Sequence, residues 1–443
     1  MYVLFTQWGR VGDDGQCQKT PFPFLTEAIQ EFQKIFRRKS GNSWDNVKSF
    51  TPQKKKYCLV ELEKRCHHQK NNIKPNLKTE TPSKLPKPLY KLMDILTNVS
   101  LLEQSSKRLR ASDKWLGYLP EKALQKAESL LQEIRQLIQE KNESSDIYNA
   151  QECSAEIIEK IIKLSEEYYF TVPVHGFEYE KLCPLYDVQL LRNQMELINN
   201  LQHIELAKEL FLAAQLRKNE INPKDYIYHC LGSKIQLLEE DSVEAQLILQ
   251  YIHNTENDNR RAKIQAIYQI QREVSSEFFQ KNTRKHMLLW HGTSAENVLS
   301  ILTRGLRVAP LGVRLTGSMF GKGIYFADMF QKSQGYCYPG NEQTKFMFLC
   351  EVFLGKVHQT DMSSSDSFPE PSKHCYDTLH ALGTWHPNPA QSVSWQGREI
   401  TLGPKEADID LKKKIIHRSL KFNEYVVFEP SHVCIRYLVQ FRI

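Results

Sequence analysis

Between residues 89 and 217 the apolar side chains of this chain recur every three or four positions, and after Asn219 that rhythm stops. A period near 3.6 belongs to helices and a period of two to strands, so a chain carrying both in separate blocks cannot be a single layer type throughout. In the first block Ala123, Leu124, Ala127, Leu130, Leu131, Ile134, Leu137 and Ile138 follow Pro120 at steps of three and four. That spacing buries a wide stripe and makes Pro120 an N1 residue. Residues 188–217 behave alike, and several antiparallel helices packed as a bundle are expected. In the second block, residues 346–353 (FMFLCEVF) and 425–443 are rich in aromatic and β-branched residues, and the latter breaks at Glu429-Pro430-Ser431 as a hairpin does. A mixed or antiparallel sheet domain with few helices is expected there. No internal repeat and no sustained heptad run is present.

Upstream of these blocks, residues 1–63 alternate short apolar segments with turns around one amphipathic helix at 25–36, in which Ala28, Ile29, Phe32, Ile35 and Phe36 share a stripe. This reads as a small α+β module. Residues 64–88 contain four prolines and almost no apolar periodicity, which reads as a linker. Charge is concentrated at this end: residues 1–89 hold 17 Lys and Arg against 8 Asp and Glu, so the rest of a chain with net charge +7 is slightly acidic. Such a basic block attracts phosphate backbones, or serves as a solvated face or a nuclear-import signal.

The ten cysteines are scattered singly with no C-x-x-C pair, so neither a zinc ribbon nor a disulfide framework fits, and a reduced compartment is expected. Cys66-His67-His68 lacks a second half-site, and no metal is expected. No apolar run reaches the length of a membrane span, and the start does not read as a cleavable signal. A soluble, intracellular protein is expected.

Three clusters in the last block could carry chemistry. In Leu288-Leu289-Trp290-His291-Gly292-Thr293 an apolar strand ends in a histidine, and the glycine after it lets a ligand approach the backbone. Residues 317–328 (GSMFGKGIYFAD), continuing to Lys332, Ser333 and Tyr336, lack the spacing of a P-loop or a dinucleotide fingerprint, and offer aromatic faces beside flexible backbone. In Asn423-Glu424-Tyr425 a lone carboxylate precedes the last apolar segment, and it becomes catalytic only if the fold carries it to His291. Each cluster alone also reads as a turn, a core hairpin or a solvated strand start.

In combination the clusters resemble the catalytic domain of the poly(ADP-ribose) polymerases. LLWHGT, GLRVAP from Gly305, TGSMFGKGIYFADM with KSxxYC, and FNEYVVF stand in that family's order and spacing. LPKPLYKLM from Leu85 resembles the start of the family's helical regulatory domain, and Trp8-Gly9-Arg10 with the later SGNSW resembles its WGR module. The likeness points to the DNA-dependent, WGR-bearing branch. It implies an α+β multidomain chain: an amino-terminally shortened WGR module at 1–63, a linker at 64–83, an all-α regulatory bundle at 84–218 and a split-β-sheet ADP-ribosyltransferase domain at 219–443. Three places depart from the family: the WGR motif starts at residue 8, with fewer strands before it than the family's module has, Ser318 stands where close relatives have a tyrosine, and residues 361–397 diverge apart from an echo at Leu382-Gly383 and Pro387-Asn388-Pro389.

The resemblance also implies roles. NAD, as substrate, would bind with its nicotinamide held by the Gly292 backbone and the Ser333 hydroxyl, Tyr336 stacked on the ring and Tyr325 lining the other side. His291 would bond the adenosine ribose, Thr293, Asn297 and Arg307 would lie near the adenosine half, and Glu424 would bond the nicotinamide ribose. Trp8 would stack at a broken or nicked DNA end and Arg10 would bridge DNA to the helical domain. The implied activity is NAD-dependent ADP-ribosylation, stimulated by DNA breaks, of the chain itself and of chromatin and histone acceptors in the nucleus, with release of nicotinamide. A transferase adding a single ADP-ribose and a catalytically silent DNA-end scaffold are the alternatives.

Overall fold

The computed structural model describes residues 1–8, 16–57, 59, 75–102, 121–143, 150–172, 183–272, 286–308, 323–339, 343–360, 376–407 and 420–443. Arg10, Cys66-His67-His68, Pro120 and Ser318 lie outside them.

At the amino-terminal end β1 (Tyr2–Trp8) and β2 (Gln16–Phe22) pair antiparallel, and α1 (Leu25–Ser40) follows. Phe32 and Phe36, two members of the expected stripe, meet the edge of Trp44 at 4.8 and 5.1 Å between ring centres. The helix runs four residues past the expected end at Phe36.

Among the described residues the helical block comprises α2 (Lys87–Leu96), α3 (Glu121–Glu143), α4 (Ala150–Thr171), α5 (Val188–Leu216) and α6 (Pro223–Cys230). On α3 the buried residues are Leu124, Ala127, Leu130, Leu131, Ile134 and Ile138, the face that the spacing marked out. They pack with Tyr168 of α4 and with Ile198 and Phe211 of α5 in one continuous core. Asp187 starts α5 by accepting the Leu190 N–H at 2.7 Å, which satisfies one of the donors a helix start leaves open.

In chain order the strands that follow are β3 (Ser233–Leu237), β4 (Lys263–Arg272), β5 (His286–Gly292), β6 (Ile324–Phe326), β7 (Lys345–Phe353), β8 (Val357–Thr360), β9 (Thr378–Ala381), β10 (Trp385–Pro387), β11 (Ser392–Trp395), β12 (Arg398–Thr401), β13 (Lys405–Ala407), β14 (Glu424–Val427) and β15 (Val433–Arg442). Among the described residues three helices are interspersed: α7 (Val243–Thr255), α8 (Val298–Arg304) and α9 (Phe330–Gln334). A seven-stranded sheet runs β11-β12-β5-β7-β15-β4-β3 and a four-stranded sheet β6-β14-β9-β8. Both are mostly antiparallel, with parallel pairs at β12/β5 and β8/β9. The sheets join where Trp290 and Ala327 exchange backbone hydrogen bonds of 2.8 and 3.0 Å.

Residues 425–443 do not form the expected hairpin. Strand β14 lies between β6 and β9 in the smaller sheet, whereas β15 lies between β7 and β4 in the larger. All four residues of β14 and seven of the ten of β15 are buried, and none of either strand is exposed. Strands buried on both faces are central strands needing two neighbours each, and a terminal hairpin would supply one. In the larger sheet Glu351 of β7 accepts from Arg398 and Arg436 at 2.6 Å each and meets His286 at 2.6 Å, tying together four adjacent strands. Burial alone would raise its carboxyl, but the two guanidiniums prevail and hold it below the usual carboxylate range.

The bundle meets the sheet domain at α5 and α8, where His203 Nδ1 lies 2.8 Å from the Ser300 hydroxyl. Burial first, and then the charges of Arg304 and Arg307, push the His203 imidazole down to about 4. The unfolded chain therefore takes up this proton at higher pH than the folded one, so the contribution is complete above about pH 6.5 and is lost as pH falls toward 4. We predict that the melting temperature of the wild type falls more steeply between those values than that of His203→Gln, a difference of up to about 3 kcal/mol at pH 4.

Candidate active site

The junction of the two sheets collects the residues that the sequence singled out. Strand β5 ends at His291 and Gly292 after four fully apolar buried positions, Met287 to Trp290. His291 Nδ1 is 2.9 Å from the Tyr325 carbonyl on β6. A carbonyl only accepts, so Nδ1 carries the proton; burial lowers the imidazole pKa and favours the neutral ring. Nε2 is then an acceptor, suited to a donated hydroxyl such as that of a ribose.

Gly292 sits under α9. A Cβ at this position would lie 1.9 Å from the Ser333 carbonyl oxygen and 3.2 Å from Tyr336 Cβ, so only glycine lets the strand end and the helix touch. Ser333 is buried and donates its hydroxyl to the Trp290 carbonyl at 3.1 Å, retaining acceptor capacity on the oxygen. The Tyr336 hydroxyl is pushed up to about 12 by burial and by the nearby Glu424 charge. A glycine backbone, a serine oxygen and a tyrosine ring thus converge at the mouth of β5.

Strand β14 brings the carboxylate. Tyr325 pairs with Val426, and Glu424 is two residues before Val426, so Tyr325 and Glu424 project from the same face as diagonal neighbours. Glu424 is 3% exposed. Its Oε1 accepts from Lys332 Nζ at 3.0 Å, while Oε2 is buried without a partner. Burial raises the carboxyl and lowers the ammonium, and their mutual attraction offsets part of both shifts. An unpartnered buried carboxylate oxygen is costly unless a ligand uses it.

On the far side of His291, Thr293 is buried and Asn297 lies in a short turn before α8 with its Oδ1 buried and unpartnered. Arg307 follows α8 and is exposed. His291, Gly292, Tyr325, Ser333, Tyr336 and Glu424 are therefore drawn together, while Thr293 and Asn297 follow His291 in the chain and Arg307 lies beyond α8, where its charge acts on His203 of α5. Trp8 lies on β1 of the amino-terminal module: it is 44% exposed and donates its indole N–H to Gln16 at 3.1 Å, so its ring is on the surface and does not fill the module's core.

Three residues with no assigned role also belong here. Lys332 fixes Glu424, and Asp328 and Asn423 form a buried hydrogen bond of 2.8 Å beside it. The only sequence signal was their proximity to the aromatic cluster and to Glu424. Among the described residues no helix is long and apolar enough to cross a membrane and no group of side chains could hold a metal ion.

Comparison with known proteins identifies the domains of the chain and its relatives. The chain matches models of the poly(ADP-ribose) polymerase catalytic domain over residues 242–443, of the poly(ADP-ribose) polymerase regulatory domain over 83–228 and of the WGR domain over 1–51. It is 30% identical to poly [ADP-ribose] polymerase 2 of Arabidopsis thaliana, covering 99% of this chain and 68% of that protein. It is 31% identical to poly [ADP-ribose] polymerase 1 of Danio rerio and to poly [ADP-ribose] polymerase tankyrase of Caenorhabditis elegans, spanning all of this chain but 42% and 20% of those proteins.

Proposed function

Because the chain belongs to the poly(ADP-ribose) polymerase family, we propose that the junction of its two sheets is an NAD-dependent ADP-ribosyltransferase site whose turnover responds to broken or nicked DNA. The observation that carries the reading is the buried, unpartnered Oε2 of Glu424 beside Tyr325. The residues suit NAD: the bare backbone of Gly292 and the Ser333 oxygen match the donor and acceptor of a carboxamide, and Tyr336 offers a face to a planar ring. His291 Nε2 would accept from the adenosine ribose, with Thr293, Asn297 and Arg307 toward the adenosine.

NAD supplies an ADP-ribosyl group whose bond to nicotinamide breaks as positive charge builds on the ribose. Glu424, held by Lys332 and acting as the carboxylate, stabilises that charge more in the transition state than in the ground state. The same carboxylate takes the proton of an acceptor hydroxyl during chain growth. On this reading Trp8, Arg10 and the basic amino-terminal segment engage the DNA end, and DNA binding shifts the bundle away from the state that covers the cleft. Acceptors are the chain itself and chromatin proteins in the nucleus.

The test is labelling of the full chain with radioactive NAD, with and without nicked duplex DNA, for wild type and Glu424→Ala. A DNA-stimulated ladder lost in the variant supports the whole reading. A single sharp band means single transfer, labelling indifferent to DNA removes the allosteric part, and no labelling leaves a DNA-binding scaffold.

A pH prediction follows from the ion pair. Glu424 acts as the carboxylate, and burial raises its pKa, so the acidic limb of kcat lies above the ordinary carboxylate range. The Lys332 charge is what restrains that shift. Replacing Lys332 by Ala moves the limb to higher pH; a limb that stays in place or moves down in a pH–kcat series contradicts this.

A further inference from the structure

We infer that Asp328 is a positioning residue that holds Glu424 in register with the cleft, by clamping the two side chains on either side of it. This rests on the reading of the site given above.

Side chains alternate along a strand, so Asn423 and Tyr425 face away from Glu424. Both end on one atom. Asp328 Oδ2 accepts from Asn423 Nδ2 at 2.8 Å and from the Tyr425 hydroxyl at 3.3 Å. Asn423 spends its other end on the smaller sheet's neighbouring chain, accepting the Gly383 N–H at 2.8 Å, which fixes the orientation of its amide. Gly383 fits only because it has no side chain: a Cβ there would lie 2.1 Å from the Phe422 carbonyl carbon.

The position of Asp328 in the chain gives the clamp its leverage. It follows Ala327, the residue joining the two sheets through Trp290, and it is three residues after Tyr325, whose carbonyl takes the His291 proton. One carboxylate therefore ties the start of β14 to the segment that carries Tyr325 and supports His291. Tyr425 is held a second way, stacked on His380 with ring centres 4.1 Å apart. On the opposite face Lys332 reaches Glu424 and, at 3.4 and 3.3 Å, the carbonyls of Phe422 and Asn423. Without Asp328 the Asn423 amide and Tyr425 hydroxyl would be buried donors without this acceptor, and the strand start, still paired to β6 through its backbone, would lose its side-chain tie to the segment that follows β6. A shift of about 1 Å in a catalytic group can lower turnover ~100-fold without affecting ground-state binding.

The experiment compares the full chain with Asp328→Ala, Asp328→Asn and Asn423→Ala, reading kcat and KM for NAD, affinity for a nicotinamide analogue, and amide exchange across residues 423–427. Asp328→Ala is expected to lower kcat on the order of 100-fold with KM within about threefold and analogue binding unchanged. Asp328→Asn, whose amide oxygen can accept the same two donors, recovers to within about tenfold of wild type and keeps its acidic limb in place. Asn423→Ala, which removes the middle link alone, falls between them. Exchange speeds up at 423–427 in Asp328→Ala while β15 stays protected. Wild-type kcat in Asp328→Ala, equal loss of kcat and analogue affinity, or Asp328→Asn as slow as Asp328→Ala with a displaced limb each overturns the assignment. If the wild type turns over no NAD, the functional reading fails, and the exchange contrast still decides whether Asp328 holds the strand.

Discussion

Glu424→Gln is expected to lower the turnover of NAD on the order of 10³-fold, about 4 kcal/mol in activation free energy, while KM changes only a few-fold. The substitution keeps the shape, and the Gln amide oxygen can still accept from Lys332 as Oε1 does. What it removes is the negative charge on Oε2, the oxygen that has no partner within the protein. A charge at that depth interacts strongly because little water screens it. It matters only when the ribose becomes positive, so the loss falls on kcat and not on binding. Any product that forms should be short, because the same carboxylate prepares the acceptor hydroxyl for elongation. Single-turnover kinetics and sizing of the product check both statements. A KM that rises in proportion to the fall in kcat/KM would mean that Glu424 binds NAD and does not stabilise its cleavage.

Gly292→Ala should damage the site from the other side. Its Cβ would sit 1.9 Å from the Ser333 carbonyl oxygen and 2.8 Å from the carbonyl carbon, both backbone atoms that no rotamer change can move. Helix α9 would have to shift, and it is anchored. Phe330 is fully buried against Trp290 and Phe441 at ring distances of 5.2 and 5.3 Å, and its N–H donates to Thr255 at 3.1 Å. Relief of the clash therefore strains well-packed core, a destabilisation of about 3 kcal/mol or more. The displaced Ser333 and Tyr336 should reduce nicotinamide-analogue affinity at least ~100-fold, an effect on binding and not on chemistry. Gly335→Ala is the control: its nearest neighbour is 3.3 Å away, the Lys332 carbonyl oxygen, and it should melt near the wild type. Equal melting temperatures and analogue affinities for Gly292→Ala and wild type would show that α9 is free to move.

The long helices before Asn219 were legible because their signal is local, whereas α6 to α9 beyond it were not singled out, α7 (Val243–Thr255) among them, because apolar residues there do not sustain a stripe of that length. A stripe such as Leu124, Leu131 and Ile134 is buried whatever it packs against, since leaving it in water costs more than any arrangement that covers it. The strands at 286–292 and 345–353 were readable for the same reason. The pairing of the last two strands was not: composition marks β14 and β15 as apolar, and nothing in a run of apolar residues tells which sheet receives it.

The site divides along the same line. The sequence marked three clusters that contain His291, Gly292, Tyr325, Ser333, Tyr336 and Glu424, and their order and spacing gave the resemblance to the polymerase family, which is what implied a role for each; no cluster alone did so. Their convergence depended on the Trp290–Ala327 junction and the β6–β14 register, both formed between segments far apart in the chain. The protonated nitrogen of His291, the single unpartnered oxygen of Glu424 and the clamp at Asp328 were decided by tertiary structure alone. Hydrogen bonds are short and directional, so which groups they join depends on distances of a few ångströms between distant residues, whereas periodicity and residue type are properties of the chain before it folds.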